Sequence, residues 1–525
     1  MSSIGVGPWI GVHAADAPQA ANSSADAKAE HFDINEIRVL GNSVLPVRAI
    51  EQAVYPFTGP GKSIDDVQAA RAALEKAFHD AGYGTVFVDI PEQDVGEGIV
   101  RLRATEGRLD RVRVSGARYF SKRQILAAMP TATAGEVPRL PALQSEVAGV
   151  NAASADRAVT PILKAGRTPG TVDLELRVND TLPLHGGVTL NNRNTPETTA
   201  LRSTVDLSYG NLFQDFQSVA FEYQTAPERL ADERVMSLTY ISPLWFGKNL
   251  LALYAIDNSS DVAAVGSLEL LGIGQIYGAH FIHPFDAAGA FSQNLNVGGD
   301  LKVFSQTVNV IGQPPDKTPI RYLNWSAVYT LSKSSPRHDT NFSLGVDFGI
   351  PSVVNRPSQF DYKRFNAPAD YMYLRGSFEQ RQSLLFGTAV DVHLTGQYTD
   401  VPLVSNEQFG VGGADTVRGY LESVALGDRG GTASLELRGP IWGFGPHPGD
   451  NHLGLFAFYD TGTVWTVDPL PDQQAHFSLS SYGAGLRFIA LHGFEGVVDW
   501  ADPLRTVSTV RAGHSRIEFQ AHFGF

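Results

Sequence analysis

The run Phe409-Gly410-Val411-Gly412-Gly413-Ala414-Asp415-Thr416-Val417-Arg418-Gly419-Tyr420 sets one arginine in a glycine-rich, tightly foldable stretch. Gly427-Asp428-Arg429-Gly430-Gly431 and an alternating strand over Ala433–Arg438 follow it. A second run, Leu455-Phe456-Ala457-Phe458-Tyr459-Asp460-Thr461-Gly462, puts Phe456, Phe458 and Asp460 on one face if it is a strand, because side chains alternate with a period of two. A carboxylate among apolar walls is costly unless paired. An arginine fork is its natural bidentate partner. The pattern therefore predicts that Arg418 and Asp460 meet, with Phe458, Gly462, Gly427 and Asp428 in support.

Motifs for bond-making chemistry fail one by one. Gly59-Pro60-Gly61-Lys62-Ser63 hints at a phosphate loop, but the first glycine of that motif falls on Pro56, so the reading is rejected. The 14 histidines include no H-E-x-x-H, and no G-x-S-x-G elbow is present. Asp499, beside Trp500 and near Asp502, could be half of a carboxylate pair; an exposed loop is the expectation. With Cys 0, thiolate metal sites, disulfides and cysteine nucleophiles are excluded. No catalytic residue, metal ligand or cofactor is expected. A net charge of −14 also disfavours a nucleic-acid partner, which requires a basic footprint.

The elements that must hold these residues change character along the chain. Ile4 to Val12 is weakly apolar and His13-Ala14-Ala15 resembles a cleavage site, but no basic stretch precedes it. A trimmed secretory signal and an ordinary tail over 1–31 both stay open. From Phe32 the pattern reads β-α-α-β-β over 32–107: a strand in Asp33–Leu40, a short helix in Val47–Tyr55, a helix capped by Ser63 and ending at Gly82, then strands Thr85–Ile90 and Gly98–Ala104. The same order recurs over 108–179, with a strand Arg111–Ser115, a helix Ser121–Met129, and Val147–Val150 and Ala152–Ala165 as strand or helix. A strand Thr171–Val178 closes it.

From residue 180 onward helical periodicity almost vanishes. Val205, Leu207 and Tyr209 oppose Thr204, Asp206 and Ser208. Phe342, Leu344, Val346, Phe348 and Ile350 oppose Ser343, Gly345, Asp347 and Gly349. Leu323, Trp325, Ala327, Tyr329 and Leu331 oppose Asn324, Ser326 and Thr330, and Ile517, Phe519, Ala521, Phe523 and Phe525 oppose Glu518, Gln520, His522 and Gly524. This is the dyad of a transmembrane antiparallel β-barrel. At ~10 residues per strand plus comparable turns, residues 180–525 allow about sixteen strands. No apolar run reaches the ~18 residues of a membrane helix, and a mean hydropathy of −0.10 suits a barrel. A soluble sandwich or propeller is the competing reading. The single unbroken texture and the aromatic terminus at Phe525 favour the barrel.

Val417-Arg418-Gly419-Tyr420 resembles the loop motif of outer-membrane barrels with POTRA domains, a loop that folds back into the lumen. Phe458-x-Asp460-x-Gly462 is similar to the strand motif that receives its arginine. Val150-Asn151 with Leu163 and Pro169-Gly170-Thr171-Val172-Asp173-Leu174 resembles the second POTRA domain of the TpsB transporters of two-partner secretion. Leu190-Asn191-Asn192 with Arg202 looks like their first barrel strand, and Tyr209-Gly210-Asn211-Leu212-Phe213 like the turn after it.

The resemblance implies two α/β POTRA domains, 32–107 and 108–179, in the periplasm, and an outer-membrane barrel over 180–525. It further implies export of a large adhesin or haemolysin-like exoprotein through its N-terminal secretion domain. The barrel-assembly machinery would recognise the terminus at Phe525, and outer-membrane lipid would surround the wall. Members often carry a plug helix; only about 30 residues precede Phe32, a departure from that pattern that leaves the presence of a full plug open. A barrel-assembly factor and a diffusion porin or receptor are the alternatives. The first is disfavoured by two POTRA units instead of five, the second by the presence of any.

Overall fold

The computed structural model describes residues 31–525 except 197, 246–247, 261, 266–267, 286–290, 309–315, 353, 446–449, 472 and 491–492. The expectations of a leader, tail or plug before residue 31 lie outside the described residues. The chain divides into two units, one reaching Ala117 and resuming over Ile125–Asp180, the other made of Arg118–Gln124 and Thr181–Phe525.

In the first unit the helix Ile64–Asp80 starts where Asp66 reaches back to Ser63, accepting from its N–H at 2.8 Å and its hydroxyl at 3.0 Å. Those contacts satisfy a donor that a helix start leaves open. Val67, Ala70, Leu74 and Phe78 recur at helical spacing and are buried against Val86, Val88, Val100 and Leu102 of the sheet. That sheet runs Glu36–Leu40, Ile99–Glu106, Val86–Asp89, the first pair parallel. A second three-stranded sheet repeats the order with Arg108–Ser115, Thr171–Asp180 and Arg157–Ala165.

One local expectation is corrected, and one left open between strand and helix is resolved. The single strand expected in Asp33–Leu40 breaks at Asn35, because the N–H groups of Asn35 and Glu36 both turn to the Gly98 carbonyl, at 2.8 and 3.2 Å. The piece before the break, Phe32–Ile34, pairs instead with Gly59–Lys62, the stretch that mimicked a phosphate loop. Farther on, a helix occupies Leu140–Ala152 and a strand begins at Arg157. The Asn151 amide accepts from the Val159 N–H at 2.7 Å and donates to its carbonyl at 3.1 Å, so it pairs the start of that strand as a neighbouring backbone would.

The second unit is a closed antiparallel barrel of sixteen strands, as the dyad predicts. The strand Leu184–Asn191 pairs with Arg202–Leu212 on one side and with the last strand, Arg516–Gly524, on the other. Arg202 thus opens the second strand rather than belonging to the first. Leu344 and Trp325 face outward, while Asp347, Asn324 and Ser326 are buried on the inner face. Asp499 corrects the exposed-loop expectation: it lies in the strand Phe494–Pro503, turned inward and buried, with Trp500 turned outward. Strands alternate in direction, so the long connections 350–371 and 399–428 lie at the end opposite to where the chain enters the barrel. There the inner lining reverses, and Ile276, Phe304 and Ile320 join an apolar cluster with Phe360 and Leu403.

Candidate functional site

The connection between the strands Ala389–Tyr398 and Arg429–Gly443 folds into a small hairpin, Phe409–Val411 pairing with Ala425–Gly427. Its tip carries Val417-Arg418-Gly419-Tyr420. Gly419 has φ +86°, a conformation that favours glycine, and its N–H donates to Glu518 at 3.0 Å.

Arg418 is buried and forks onto Asp460: Nε donates to Oδ2 at 2.8 Å, Nη2 to Oδ1 at 2.9 Å, and its backbone N–H to Oδ2 at 3.2 Å. Nη1 donates to Glu436 at 2.9 Å and Nη2 to the Ser434 hydroxyl at 3.2 Å. The guanidinium carbon sits 3.4 Å from the centre of the Phe458 ring, an attraction to the ring's negative face. Gly462 leaves room for the loop: a Cβ there would lie 2.5 Å from Val411 Cγ1 and 3.1 Å from Val417 Cγ2. Phe458, Asp460 and Gly462 thus stack, pair and make space.

The loop has further attachments. Tyr420 donates to the Arg505 carbonyl at 2.8 Å and lies 3.1 Å from that of Ser480. Asp415 accepts both ends of the Arg193 fork, at 2.7 and 2.9 Å. Asp428 is fully buried and pairs with Arg364. Gly427 abuts the next strand, where a Cβ would lie 2.7 Å from that of Val464. Phe525 exchanges backbone hydrogen bonds with Gly186 at 3.0 and 3.2 Å, extending the contact of the last strand with the first.

Sequence reasoning missed several of these groups. Glu436 shares a strand face with Ser434, so the alternation of Ala433–Arg438 could have found it. Glu407 is buried and accepts from Lys302 at 2.6 Å, Tyr373 at 2.7 Å and Tyr322. No motif marks it, because its partners come from distant strands. Beside the loop, a cavity of about 1260 Å³ is lined by polar groups including Asp206, Glu222, Glu379, Arg381, Asp391 and Arg438. Among the described residues no cluster of metal-ligating side chains occurs. What the arrangement can do is hold a loop across a wet channel.

Comparisons with known proteins agree in both units. Residues 32–107 match the POTRA domain of ShlB type, and residues 318–488 match the family of haemolysin secretion/activation proteins ShlB/FhaC/HecB. The outer membrane transporter CdiB of Dickeya dadantii (strain 3937) is 23% identical over 441 residues, 78% of this chain and 73% of that protein. The chain is an outer-membrane transporter of two-partner secretion. The heme/hemopexin transporter protein HuxB of Haemophilus influenzae (strain ATCC 51907 / DSM 11121 / KW20 / Rd) is 20% identical over 85% of this transporter and 78% of its own length.

Among solved structures, CdiB from Escherichia coli shares the fold at a TM-score of 0.62 and 17% identity, over 96% of this chain and 93% of its own. BamA from Haemophilus ducreyi lacking POTRA domains 1-3 shares it at 0.57 and 14%, over 94% of this chain and 100% of its own. The barrel lies in the outer membrane with the POTRA region in the periplasm. The connections 350–371 and 399–428 therefore face the cell exterior.

Proposed function

We propose that this transporter exports a large exoprotein, adhesin or haemolysin-like, whose N-terminal secretion domain is caught in the periplasm. Two POTRA domains, 32–107 and 108–179, do the catching, and the barrel over 180–525 gives passage. The observation that carries the reading is the loop of the barrel itself, held across the lumen by Arg418 on Asp460, Glu436 and Phe458. A diffusion porin has no need of a POTRA domain, which residues 32–107 match. The anchor keeps the loop in register while an extended chain passes. Folding of the exported chain outside makes passage one-way, since no nucleotide-binding loop is present in the sequence.

Capture proceeds by strand addition, main-chain hydrogen bonds supplying affinity. Edge strands with free backbone groups invite it. Glu36–Leu40 and Val86–Asp89 are the edges of the first sheet, and Arg108–Ser115 and Arg157–Ala165 those of the second; only the last contains a proline, Pro161. Proline cannot donate, and Val88 already bonds Glu75 through its N–H and Arg71 through its carbonyl, so Glu36–Leu40 and Arg108–Ser115 are the preferred docking edges. The terminal Phe525 serves recognition by the barrel-assembly machinery, and lipid contacts the outward apolar face.

The test is to find a neighbouring open reading frame for a large β-rich secreted protein and to co-express the two. Exoprotein should reach the medium with the wild-type transporter and much less with Arg418→Ala, while the variant barrel still shows heat-modifiable migration. Altered assembly of other barrels, with normal exoprotein release, would instead support the assembly-factor alternative.

A further inference from the structure

Outward of the polar cavity, two exterior connections pack a buried apolar cluster against six strands of the wall. Tyr322 of the wall, Phe360 and Tyr371 of the connection 350–371, and Leu403 and Val404 of the connection 399–428 are each 0–1% exposed. The Tyr322 and Phe360 rings lie 5.3 Å apart, edge to face. Packing of this density leaves no path for an extended polypeptide between these connections and the wall they cover. Something must therefore seat and unseat the two connections that supply it.

Arg364, just after the helix Pro357–Lys363, joins them. Its guanidinium pairs with Asp428 through both terminal nitrogens, Nη2 to Oδ2 at 2.7 Å. It also donates to the Leu403 carbonyl at 2.5 Å and the Val467 carbonyl at 2.9 Å. Asp428 in turn accepts from the N–H of Leu403 at 3.0 Å and of Val467 at 2.6 Å, and from the Gln408 amide at 3.1 Å. One ion pair thus ties together three exterior connections, 350–371, 399–428 and the one that follows Trp465.

We infer that Arg364 and Asp428 are positioning residues for export: they latch the exterior connections so that the apolar cluster closes the outer lumen, and passage requires the pair to part. The role deepens the export reading and rests on it. The physics suits a latch that must release. A buried ion pair gives up hydration nearly equal to its attraction, so it fixes geometry while adding little net stability. When the connections swing outward, both charges regain water. Arg418 engages a different face of the loop, on Asp460 and Glu436, so the tip can stay anchored while the outer end opens.

The full chain in planar lipid bilayers tests this with potassium chloride current as the readout, which needs no exported partner. Arg364→Gln and Asp428→Asn should each raise the open fraction about tenfold, the shift expected when a closed state loses about 1.4 kcal/mol. Cysteine is absent from the sequence, so Arg364→Cys with Leu403→Cys can be bridged selectively by a reducible bis-maleimide. The bridged protein should pass little current and export nothing until reductant is added. Wild-type current in both single variants, or export by the bridged protein, would overturn the latch. Should a single variant fail to insert, the bridged pair decides. Raised current in the variants of a transporter that exports no exoprotein would keep the latch and sink the export reading.

Discussion

Leu40 of the N-terminal unit and Leu344 of the barrel expose nearly the same fraction of their surface, 45% and 51%, yet their neighbours differ in kind. Leu40 ends an edge strand in which Glu36 and Arg38 pair with each other. Leu344 stands in an outward row, and the residues beside it in sequence, Ser343 and Gly345, line the cavity. The first unit hides its apolar side chains between helix and sheet. The barrel turns them outward and hides polar ones, such as Asp347, Asp428 and Asp460. Exposure alone says nothing about cost; the solvent on that side decides.

The comparison can be broken by substitution, and the largest effect belongs to the first unit's core. Leu74 is fully buried there, so Leu74→Ala should cost about 2–5 kcal/mol, read by denaturant unfolding of a 32–179 fragment while the barrel's heat-modifiable shift stays unchanged. Next comes the lipid face. Leu344→Arg should cost about 2–4 kcal/mol if the residue lies near the bilayer midplane, measured by reversible unfolding from vesicles. Leu40→Arg should stay within about 0.5 kcal/mol, as surface changes usually do. Equal penalties at the two leucines would remove the distinction.

The lumenal pair sits between these extremes. A fully buried pair that loses one partner costs about 3–5 kcal/mol, and the adjoining wet cavity should reduce that. Arg418→Ala, Asp460→Ala and the double variant should show similar export defects, because the two groups act as a unit. Lys at position 418 should rescue poorly, having no fork. Fully additive losses would contradict the pairing. The smallest effect is at the surface. The Lys164 and Ser115 hydrogen bonds hold the Glu175 carboxyl at about 2 instead of 4.5. A lowered acid favours folding above its unfolded value, so that contribution should fade as pH falls from 4.5 toward about 2. Glu175→Gln should flatten that part of the thermal-melting profile of the 32–179 fragment.

The dyad made the barrel legible because each strand carries its own facing, and alternation at Asn341–Ile350 needs no knowledge of its neighbours. Arg418 and Asp460 could be brought together because a motif and a strand parity marked each. Asp499 was misread, since Asp499, Asp502 and Pro503 together look like a loop until closure of the barrel turns Asp499 inward. The break at Asn35 depends on a carbonyl more than sixty residues away, at Gly98. Arg364 and Glu407 carry no local signal, for their partners are set by barrel closure and by loops whose packing no short window contains.

Release of a co-expressed candidate exoprotein into the medium, compared in cells making this chain, cells lacking it, and cells making Arg418→Ala, tests export through the anchored lumen most directly. The account predicts abundant release in the first, none in the second, and strongly reduced release in the third with the variant barrel still inserted. Equal release with and without the chain would contradict it.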